Sequence, residues 1–216
     1  MHTLEYINKK TRLAYNKAAE KYYEMFSDEL DKKAFDKIIL DDFSKYFNCD
    51  SIICDAGCGP CGHVADYISK KGIKVIGIDI SEKCIEIANK FHPGIRFEIG
   101  DFSNLRFNDN YFDGIISYYS IVDTPKKYVK KVFKEFKRVL KDNGYLLLAV
   151  KEGSGEGFQR DLLGIEIEIY FSLFTKDEIQ EYLLESGFEI IKLEERAPYP
   201  HEISINRLFT ISKKNP

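Results

Sequence analysis

Residues 51–81 constrain the fold most strongly, because two apolar runs there enclose a glycine-rich turn and an amphipathic helical pattern. In the turn, Gly57, Gly59 and Gly62 allow the backbone to bend sharply and to approach a ligand where a Cβ atom would intervene. The second apolar run ends on Asp79, whose carboxylate is placed to accept hydrogen bonds from both hydroxyls of a ribose. We therefore expect a strand, turn, helix and strand that together bind a nucleoside.

The acidic residue in front of these glycines indicates which nucleoside binds. Asp55 stands at a point where a pyrophosphate-binding turn would carry no acid, because a carboxylate repels phosphate groups. The same carboxylate suits a ligand with an ammonium or sulfonium charge. S-adenosylmethionine therefore fits the turn better than NAD does.

Four motifs in the same order resemble those of the class I S-adenosylmethionine-dependent methyltransferases, and the resemblance extends over most of the chain. The motifs are Asp55-x-Gly57-x-Gly59, Gly77-Ile78-Asp79-Ile80-Ser81, Gly100-Asp101-Phe102 and Phe112-Asp113-Gly114-Ile115-Ile116. The sequence departs from the family pattern at the third glycine, where Cys61 stands and Gly62 follows. The resemblance implies an α/β fold with a seven-stranded, mostly parallel Rossmann-like sheet, helices on both faces, an antiparallel C-terminal strand and a helical N-terminal extension.

The resemblance also implies S-adenosyl-L-methionine as the cofactor and a set of residues that bind it. Asp101 and Phe102 are similar to the family's adenine contacts, the carboxylate accepting from the exocyclic amine. One of the tyrosines Tyr15 and Tyr22 would contact the methionine end of the cofactor; alternatively, both would pack the N-terminal helix onto the domain. The whole set comprises Asp55, Gly57, Cys58, Gly59, Asp79, Ile80, Asp101, Phe102, Ser117, Tyr15 and Tyr22.

With 216 residues, 44% of them apolar, the chain is long enough for one domain with additions. We expect residues 1–48 to form a helical extension over the cofactor cleft and residues 49–216 to form the methyltransferase domain. Strands are expected near 51–55, 74–79, 95–99, 111–118, 144–150, 188–194 and 203–212. Helices are expected near 3–26, 32–47, 62–71, 81–91, 125–141 and 175–187. Thr124 is expected to cap the helix that follows Pro125, and Thr175 to form a capping box with Glu178.

The alternation of strands and helices is interrupted between residues 151 and 174. Gly153, Gly155 and Gly157 predict a flexible loop, and the alternating polarity of residues 165–172 then predicts a half-buried strand. Ligands of open α/β sheets bind beyond the carboxyl ends of the strands. This insertion after the fifth strand is therefore our candidate lid over the methyl acceptor.

Methyl transfer mainly requires that the nucleophile be aligned and water excluded, so a general base is optional. Tyr118 and Tyr119 end the fourth strand, where they could line the acceptor site. The further candidates for a general base are Glu168 on the lid, His201 and Glu202 in the tail, and Asp123. His63 is expected only to start a helix, and no pair of histidines with a nearby acid has metal-ligand spacing.

The cysteines offer a competing interpretation. Cys54, Cys58 and Cys61 have the spacing by which radical S-adenosylmethionine enzymes hold a four-iron cluster. However, Cys54 lies within an apolar strand, and the chain is short for the barrel of those enzymes. A zinc or redox role for Cys58 and Cys61 is a second alternative. We favour small, reduced thiols packed in the turn.

Composition disfavours a nucleic acid or a membrane as partner. The 32 basic and 35 acidic residues give a net charge of −3, and no apolar run approaches the roughly 18 residues of a membrane span. The segment Lys126-Lys127-x-x-Lys130-Lys131 could form a basic patch for RNA, but it is typical of the solvated face of a helix. We expect a cytoplasmic monomer or homodimer that methylates a small, apolar or aromatic molecule. The alternatives are a non-catalytic protein that binds S-adenosylmethionine and a methyltransferase for RNA or protein.

Overall fold

The computed structural model describes residues 2–215, in which helices and strands alternate. The helices are α1 (Leu4–Phe26), α2 (Ala34–Ser44), α3 (His63–Ser69), α4 (Glu82–Phe91), α5 (Lys126–Val139) and α6 (Lys176–Glu185). The strands are β1 (Ile52–Ala56), β2 (Lys74–Asp79), β3 (Arg96–Ile99), β4 (Phe112–Tyr118), β5 (Leu140–Lys151), β6 (Glu156–Leu162), β7 (Ile165–Ser172), β8 (Phe188–Arg196) and β9 (Arg207–Lys214).

Seven strands form one sheet in the order β3-β2-β1-β4-β5-β9-β8. The first five strands are parallel, and β9 runs antiparallel to both β5 and β8. Apolar side chains of α5 and α6 cover one face of the sheet, and those of α2, α3 and α4 cover the other. The predicted seven-stranded Rossmann-like fold, with helices on both faces and an antiparallel C-terminal strand, is confirmed.

The helical N-terminal extension is confirmed as two helices. Thr3 caps α1, because its side-chain oxygen accepts from the backbone N–H of Tyr6 at 3.2 Å. The alanines Ala14, Ala18 and Ala19 are fully buried, which brings α1 close against its neighbours. This helix contacts α4 on one side and β7 on the other, so it lies at the carboxyl ends of the parallel strands.

The strand–helix boundaries around α5 differ from the prediction. Thr124 does not cap this helix: Pro125 occupies the N-cap position, with no side-chain hydrogen bond to the first turn. The helix ends at Val139, and Leu140 already pairs with Phe112 of β4 because its side chain is buried in the core. Asn143, within β5, has a φ of 63°, and the pairing of β4 with β5 shifts in register between Phe112 and Gly114. By contrast, the capping box of Thr175 is present in α6.

The insertion after β5 contains more regular structure than predicted. Strand β7 was expected, but its antiparallel partner β6 was not, and it begins inside the segment predicted to be a flexible loop. The segment of β6, EGFQRDL, lacks the alternation of apolar and polar residues from which β7 was predicted. Leu163 and Gly164 join the two strands with positive φ values of 58° and 73°, as in a tight hairpin turn.

The tail differs from the prediction at one boundary, since β9 begins at Arg207 rather than near residue 203. Residues 197–206 include two prolines and form an irregular segment instead. As to membranes, none of the helices in residues 2–215 is both long enough and apolar enough to cross one.

Candidate functional site

The glycine-rich turn between β1 and α3 is held against the end of β2 by backbone hydrogen bonds. The backbone N–H groups of Gly57 and Cys58 both donate to the carbonyl oxygen of Ile78, at 2.7 and 3.0 Å. Gly57 and Gly59 have φ values of 85° and 62°, a region that favours glycine. A Cβ atom on Gly59 would meet no atom of residues 2–215 within 4 Å, so the backbone at this point leaves space for a ligand.

Asp79 ends β2 beside this turn. Its Oδ2 accepts from the N–H of Gly59 at 3.0 Å, and its Oδ1 accepts from the N–H of Ser81 at 2.9 Å. Burial raises the pKa of Asp79 to about 6, although these backbone donors oppose the rise. A carboxylate can accept about four hydrogen bonds, so both oxygens can still accept from a ligand.

Asp55, at the end of β1, is almost completely buried, with 1% of its surface exposed. Burial, opposed by a hydrogen bond from the Ala65 backbone and aided by the charge of Asp79, raises the pKa of Asp55 to about 7. Its Oδ2 has no hydrogen-bond partner among the described residues, and Asp55 is one of the residues that line the larger cavity. A buried carboxyl oxygen without a partner is unusual, and this one retains its capacity to accept a hydrogen bond from a ligand.

Asp101 and Phe102 follow β3 at the same edge of the sheet. Asp101 accepts from the backbone N–H of Ser103 at 2.7 Å and from the side-chain amide of Asn8 at 2.6 Å. Asn8 belongs to α1, so this bond ties the N-terminal helix to the predicted adenine end of the site. The ring of Phe102 packs near that of Phe136, which fixes Phe102 against the core.

Two adjoining cavities lie between α1 and the carboxyl ends of the strands. The smaller, of about 80 Å³, includes Asn8, Asp79, Ile80, Asp101 and Phe102 in its wall. The larger, of about 750 Å³, extends from Asp55 and Cys58 to the β6–β7 hairpin. Both are lined by Gly57, Gly59, Tyr15, Tyr22, Tyr118, Tyr119 and Asp123, so they form one cleft. The larger volume lies in the range of small-molecule sites, about 300 to 1,000 Å³.

The two tyrosines of α1 lie at the junction of the cavities. Their rings are 6.1 Å apart, and burial raises the pKa of both hydroxyls well above the usual value. The hydroxyl of Tyr15 interacts with the carboxyl of Asp123. Burial raises the pKa of Asp123 to about 7, while Tyr15 and the charge of Lys151 oppose that rise.

Tyr118 and Tyr119 line the cleft with their rings, but a buried acid holds their hydroxyls. Asp36 of α2 accepts from Tyr118 at 2.5 Å and from Tyr119 at 3.4 Å, and its other oxygen lies 3.0 Å from Arg196 Nε. Burial raises the pKa of both tyrosines. These hydroxyls are therefore suited to hold the rings in place, and less suited to exchange protons with a ligand.

Ser117, also predicted at this site, is fully buried behind the cleft. Its Oγ lies 2.6 Å from the Oγ of Ser120, and it is Ser120 that reaches the wall of the smaller cavity. A Cβ atom on Gly57 would lie only 2.3 Å from that of Ser120, so the end of β4 packs directly on the glycine-rich turn. This close contact is a second reason for glycine at position 57.

The remaining predicted candidates lie at the edge of the cleft or outside it. Glu168 points away from the cavities, toward α1, where its Oε2 lies 2.9 Å from Lys10 Nζ. His201 is exposed, stacks on Tyr199 with ring centroids 5.7 Å apart, and reaches the rim of the larger cavity. Glu202 lines that cavity too, but ion pairs lower its pKa far below the usual range.

Several residues of the cleft were not singled out from the sequence. His63 was expected only to start α3, yet it lines the larger cavity, and neither ring nitrogen has a hydrogen-bond partner within the described chain. Burial lowers the pKa of His63 to about 4, so its imidazole is neutral at physiological pH. Lys151 and Arg207 line the same cavity. No local sequence motif marks these three residues. Lys151 and Arg207 come together only through the pairing of β5 with β9, and His63 is distinguished only by its burial at the cavity.

The alternative interpretations find no matching geometry. Cys54 packs in the core on one face of the sheet and Cys58 on the other, so the three thiols of the spacing motif do not converge. Within residues 2–215, no three metal-ligating side chains are grouped for a metal ion. In the basic segment of α5, Lys126 pairs with Glu178 and Lys130 with Glu185, which reduces its positive field.

Comparison with known proteins agrees with this arrangement. Residues 54–148 match a family model described as a methyltransferase domain. A sterol 24-C-methyltransferase of Aspergillus fumigatus is 27% identical over 164 residues, which cover 70% of this chain and 43% of that protein. A demethylmenaquinone methyltransferase of Thermotoga maritima is 28% identical over 154 residues, which cover 60% of this chain and 66% of that protein. The chain thus spans less than half the length of the sterol methyltransferases that it matches.

Solved structures share the fold over most of the chain. An S-adenosylmethionine-dependent methyltransferase of Methanosarcina mazei superposes with a TM-score of 0.71 and 24% identity, covering 79% of this chain and 95% of that one. A 1,6-didemethyltoxoflavin-N1-methyltransferase of Burkholderia thailandensis, solved with bound 1,6-didemethyltoxoflavin and S-adenosylhomocysteine, superposes with a TM-score of 0.74 and 16% identity, covering 100% of this chain and 92% of that one.

Proposed function

We propose that this chain, which belongs to the class I S-adenosylmethionine-dependent methyltransferases, transfers a methyl group from S-adenosylmethionine to a small molecule. The observation that carries the proposal is the single cleft at the carboxyl ends of the strands. One end of it has the polar groups that suit a nucleoside, and the other end is a cavity of about 750 Å³ that suits a small acceptor.

The residues of the first end fit the cofactor. Asp79 would accept from the ribose hydroxyls, Asp101 from the adenine amine, and the unpartnered oxygen of Asp55 would face the positively charged methionine end. Gly59 leaves the space for this approach. When bound, the cofactor supplies a methyl group that its positively charged sulfur activates for transfer.

The chain's own residues would align the acceptor and exclude water. Tyr118 and Tyr119, held by Asp36, would form a fixed wall near the point of transfer. Asp123 lies between the two cavities, and a carboxyl whose pKa is about 7 can accept a proton near neutral pH. We propose Asp123 as the group that would take up a proton from an acceptor that must lose one.

The acceptor would be a small molecule with an apolar body, held under the insertion formed by residues 151–174. Leu162, Ile169 and Phe171 of the β6–β7 hairpin line the larger cavity, and β7 contacts α1 directly. We propose that this insertion and the N-terminal helices, residues 1–48, cover the cleft above the methyltransferase domain. The names of similar enzymes, which refer to sterols, a menaquinone precursor and a toxoflavin precursor, support an acceptor of this kind.

The first test is calorimetric binding of S-adenosylmethionine, S-adenosylhomocysteine and NAD. We expect micromolar binding of the first two, no binding of NAD, and loss of binding in Asp79→Ala. The matched control is Asp50→Ala, which removes an exposed carboxylate far from the cleft and should bind normally. A chain that binds neither S-adenosyl compound would refute the proposal. Binding without transfer of a labelled methyl group to any of a broad acceptor panel would favour a non-catalytic role instead.

A further inference from the structure

The larger cavity has a positively charged wall at β5 and β9. Lys151 and Arg207 are directly paired across these antiparallel strands, so both side chains leave the sheet on the same face, and both line the cavity. Like charges in directly opposed positions destabilise a sheet. Their retention at the wall of a cavity therefore points to a ligand that compensates them.

Lys151 in particular lacks a counter-ion. No carboxylate oxygen in the described part of the chain lies within 4.0 Å of its ammonium group. The acid with the greatest influence on it is Asp123, whose own pKa of about 7 leaves it only partly charged at neutral pH. Burial lowers the pKa of Lys151, because no carboxylate pairs with its ammonium group closely enough to offset the loss of water, and an anionic ligand would restore its charged form.

Glu29 and Glu202, which also line this cavity, form ion pairs with other cations, Glu29 with Lys33. The carboxylate oxygens of Glu202 lie 2.9 Å from Lys33 Nζ, 2.7 Å from a terminal guanidinium nitrogen of Arg196 and 3.7 Å from one of Arg207. One carboxylate shared among three cations cannot also compensate Lys151. Arg207 in turn is 4% exposed and donates to the backbone oxygen of Ile205, which holds it in place beside Lys151.

Most of the remaining wall toward the hairpin is apolar. Leu162, Leu163, Ile169 and Phe171 come from the hairpin, and Val122 lies in the short helical turn between β4 and α5. A ligand that fills this space would therefore have an apolar body, and one anionic group would meet the ammonium of Lys151. The arrangement separates the part of the ligand that is buried by the hydrophobic effect from the part that orients it.

We propose that the methyl acceptor is an acid, in which an apolar body carries a carboxylate or phosphate group that binds Lys151 beside Arg207. This inference rests on the proposed function and specifies its substrate class. The carboxylate of the cofactor is a second possible source of the anion, but β5 lies two strands from β1 in the sheet. That separation is about 10 Å, so we assign Lys151 to the acceptor.

The test compares acids with amides of the same shape. The probes are 2-naphthoate with 2-naphthamide and octanoate with octanamide, titrated into the full chain saturated with S-adenosylhomocysteine. In the wild type we expect at least one acid to bind about tenfold more tightly than its amide, as one charge-assisted hydrogen bond allows. This preference should disappear in Lys151→Met and persist in Lys151→Arg. The matched control is Lys134→Met, which removes an exposed lysine of α5 outside the cavities.

The outcomes separate this inference from the proposed function. Equal binding of acid and amide by the wild type, no binding of either acid, or a preference that persists in Lys151→Met would overturn the acid acceptor alone. A loss of S-adenosylhomocysteine affinity in Lys151→Met would assign the ammonium to the cofactor and would also overturn it. If the wild type does not bind S-adenosylhomocysteine, the proposed function fails, and the acid acceptor fails with it.

Discussion

Replacing Asp55 with asparagine should stabilise the ligand-free protein at alkaline pH while weakening its affinity for the cofactor. The pKa of Asp55 rises from 3.8 to about 7 on folding, so ionising this buried carboxyl at pH 8 costs about 4 kcal/mol of folding free energy. Asparagine avoids that cost. Its amide group, however, would replace an oxygen that has no partner within residues 2–215, which costs about 1 to 3 kcal/mol. The net gain at pH 8 is therefore about 1 to 3 kcal/mol.

The pH dependence of the free energy of unfolding identifies the ionisation of Asp55 as the cause of this gain. Because the folded pKa is raised, folded Asp55 binds a proton between about pH 4 and pH 7, whereas the unfolded chain does not. The wild type therefore loses the stability that this proton contributes as the pH rises through 7, and the variant does not. Urea unfolding of both proteins at about pH 5 and pH 8 should show that the advantage of Asp55→Asn increases with pH. A difference that is independent of pH, or a variant that is less stable at pH 8, would refute the reasoning.

Three further predictions concern other groups of the cleft. Because Asp79 has a pKa of about 6 and would accept from the ribose as a carboxylate, affinity for S-adenosylhomocysteine should fall roughly tenfold per pH unit below 6; calorimetry should show this slope flattened in Asp79→Asn. Lys151→Met should raise the melting temperature of the ligand-free protein by a few degrees, because it removes a like-charge pair with Arg207; an unchanged or lower value contradicts this. At pH 8, a thiol reagent should modify only Cys49 in the native protein and all five cysteines in urea, because burial raises the pKa of the others; rapid native modification of a second thiol would argue against this.

The parts of the fold that sequence predicts well depend on local chemistry. The glycine-rich turn could be predicted because positive φ values require glycine at positions 57 and 59. The capping box of Thr175 could be predicted because both its hydrogen bonds join residues three apart. Strand β6 could not be predicted in this way, because its residues do not alternate between buried and exposed positions. Its location depends instead on pairing with β7.

The boundary of α5 shows how tertiary contacts override local preference. Thr124 and Pro125 form a plausible start for a helix, but the hydroxyl of Thr124 makes no cap, and this residue is 3% exposed between the cleft and the core. At the other end, Leu140 leaves the helical conformation to pair with Phe112 of β4. Burial of one large side chain in the core outweighs the small gain from two more helical residues.

Some residues of the cleft could likewise be predicted from local sequence, and others could not because they depend on long-range contacts. The residues of the first three motifs could be placed at the carboxyl ends of the strands, because each of these motifs lies at the end of a strand or directly follows one. The bond between Asn8 and Asp101 joins residues 93 positions apart, and the pairing of Lys151 with Arg207 depends on the register of two antiparallel strands. Neither relation leaves a pattern within a window of sequence, so the groups proposed to recognise the acceptor were not found there.

Three of these groups have in common that they are unfavourable for the ligand-free fold. Asp55 and Asp123 are buried acids whose pKa is raised to about 7, and Lys151 is a largely buried cation without an ion pair in the described chain. Each would be compensated by a ligand charge or a transferred proton of the kind proposed here. A ligand that binds only the folded protein stabilises it by an amount that grows with the logarithm of its affinity, so binding offsets the free energy lost in keeping these groups unpaired. Substitutions that stabilise the fold at Asp55, Asp123 or Lys151 should therefore weaken ligand binding or methyl transfer. The control substitutions at the exposed residues Asp50 and Lys134 should leave both unchanged.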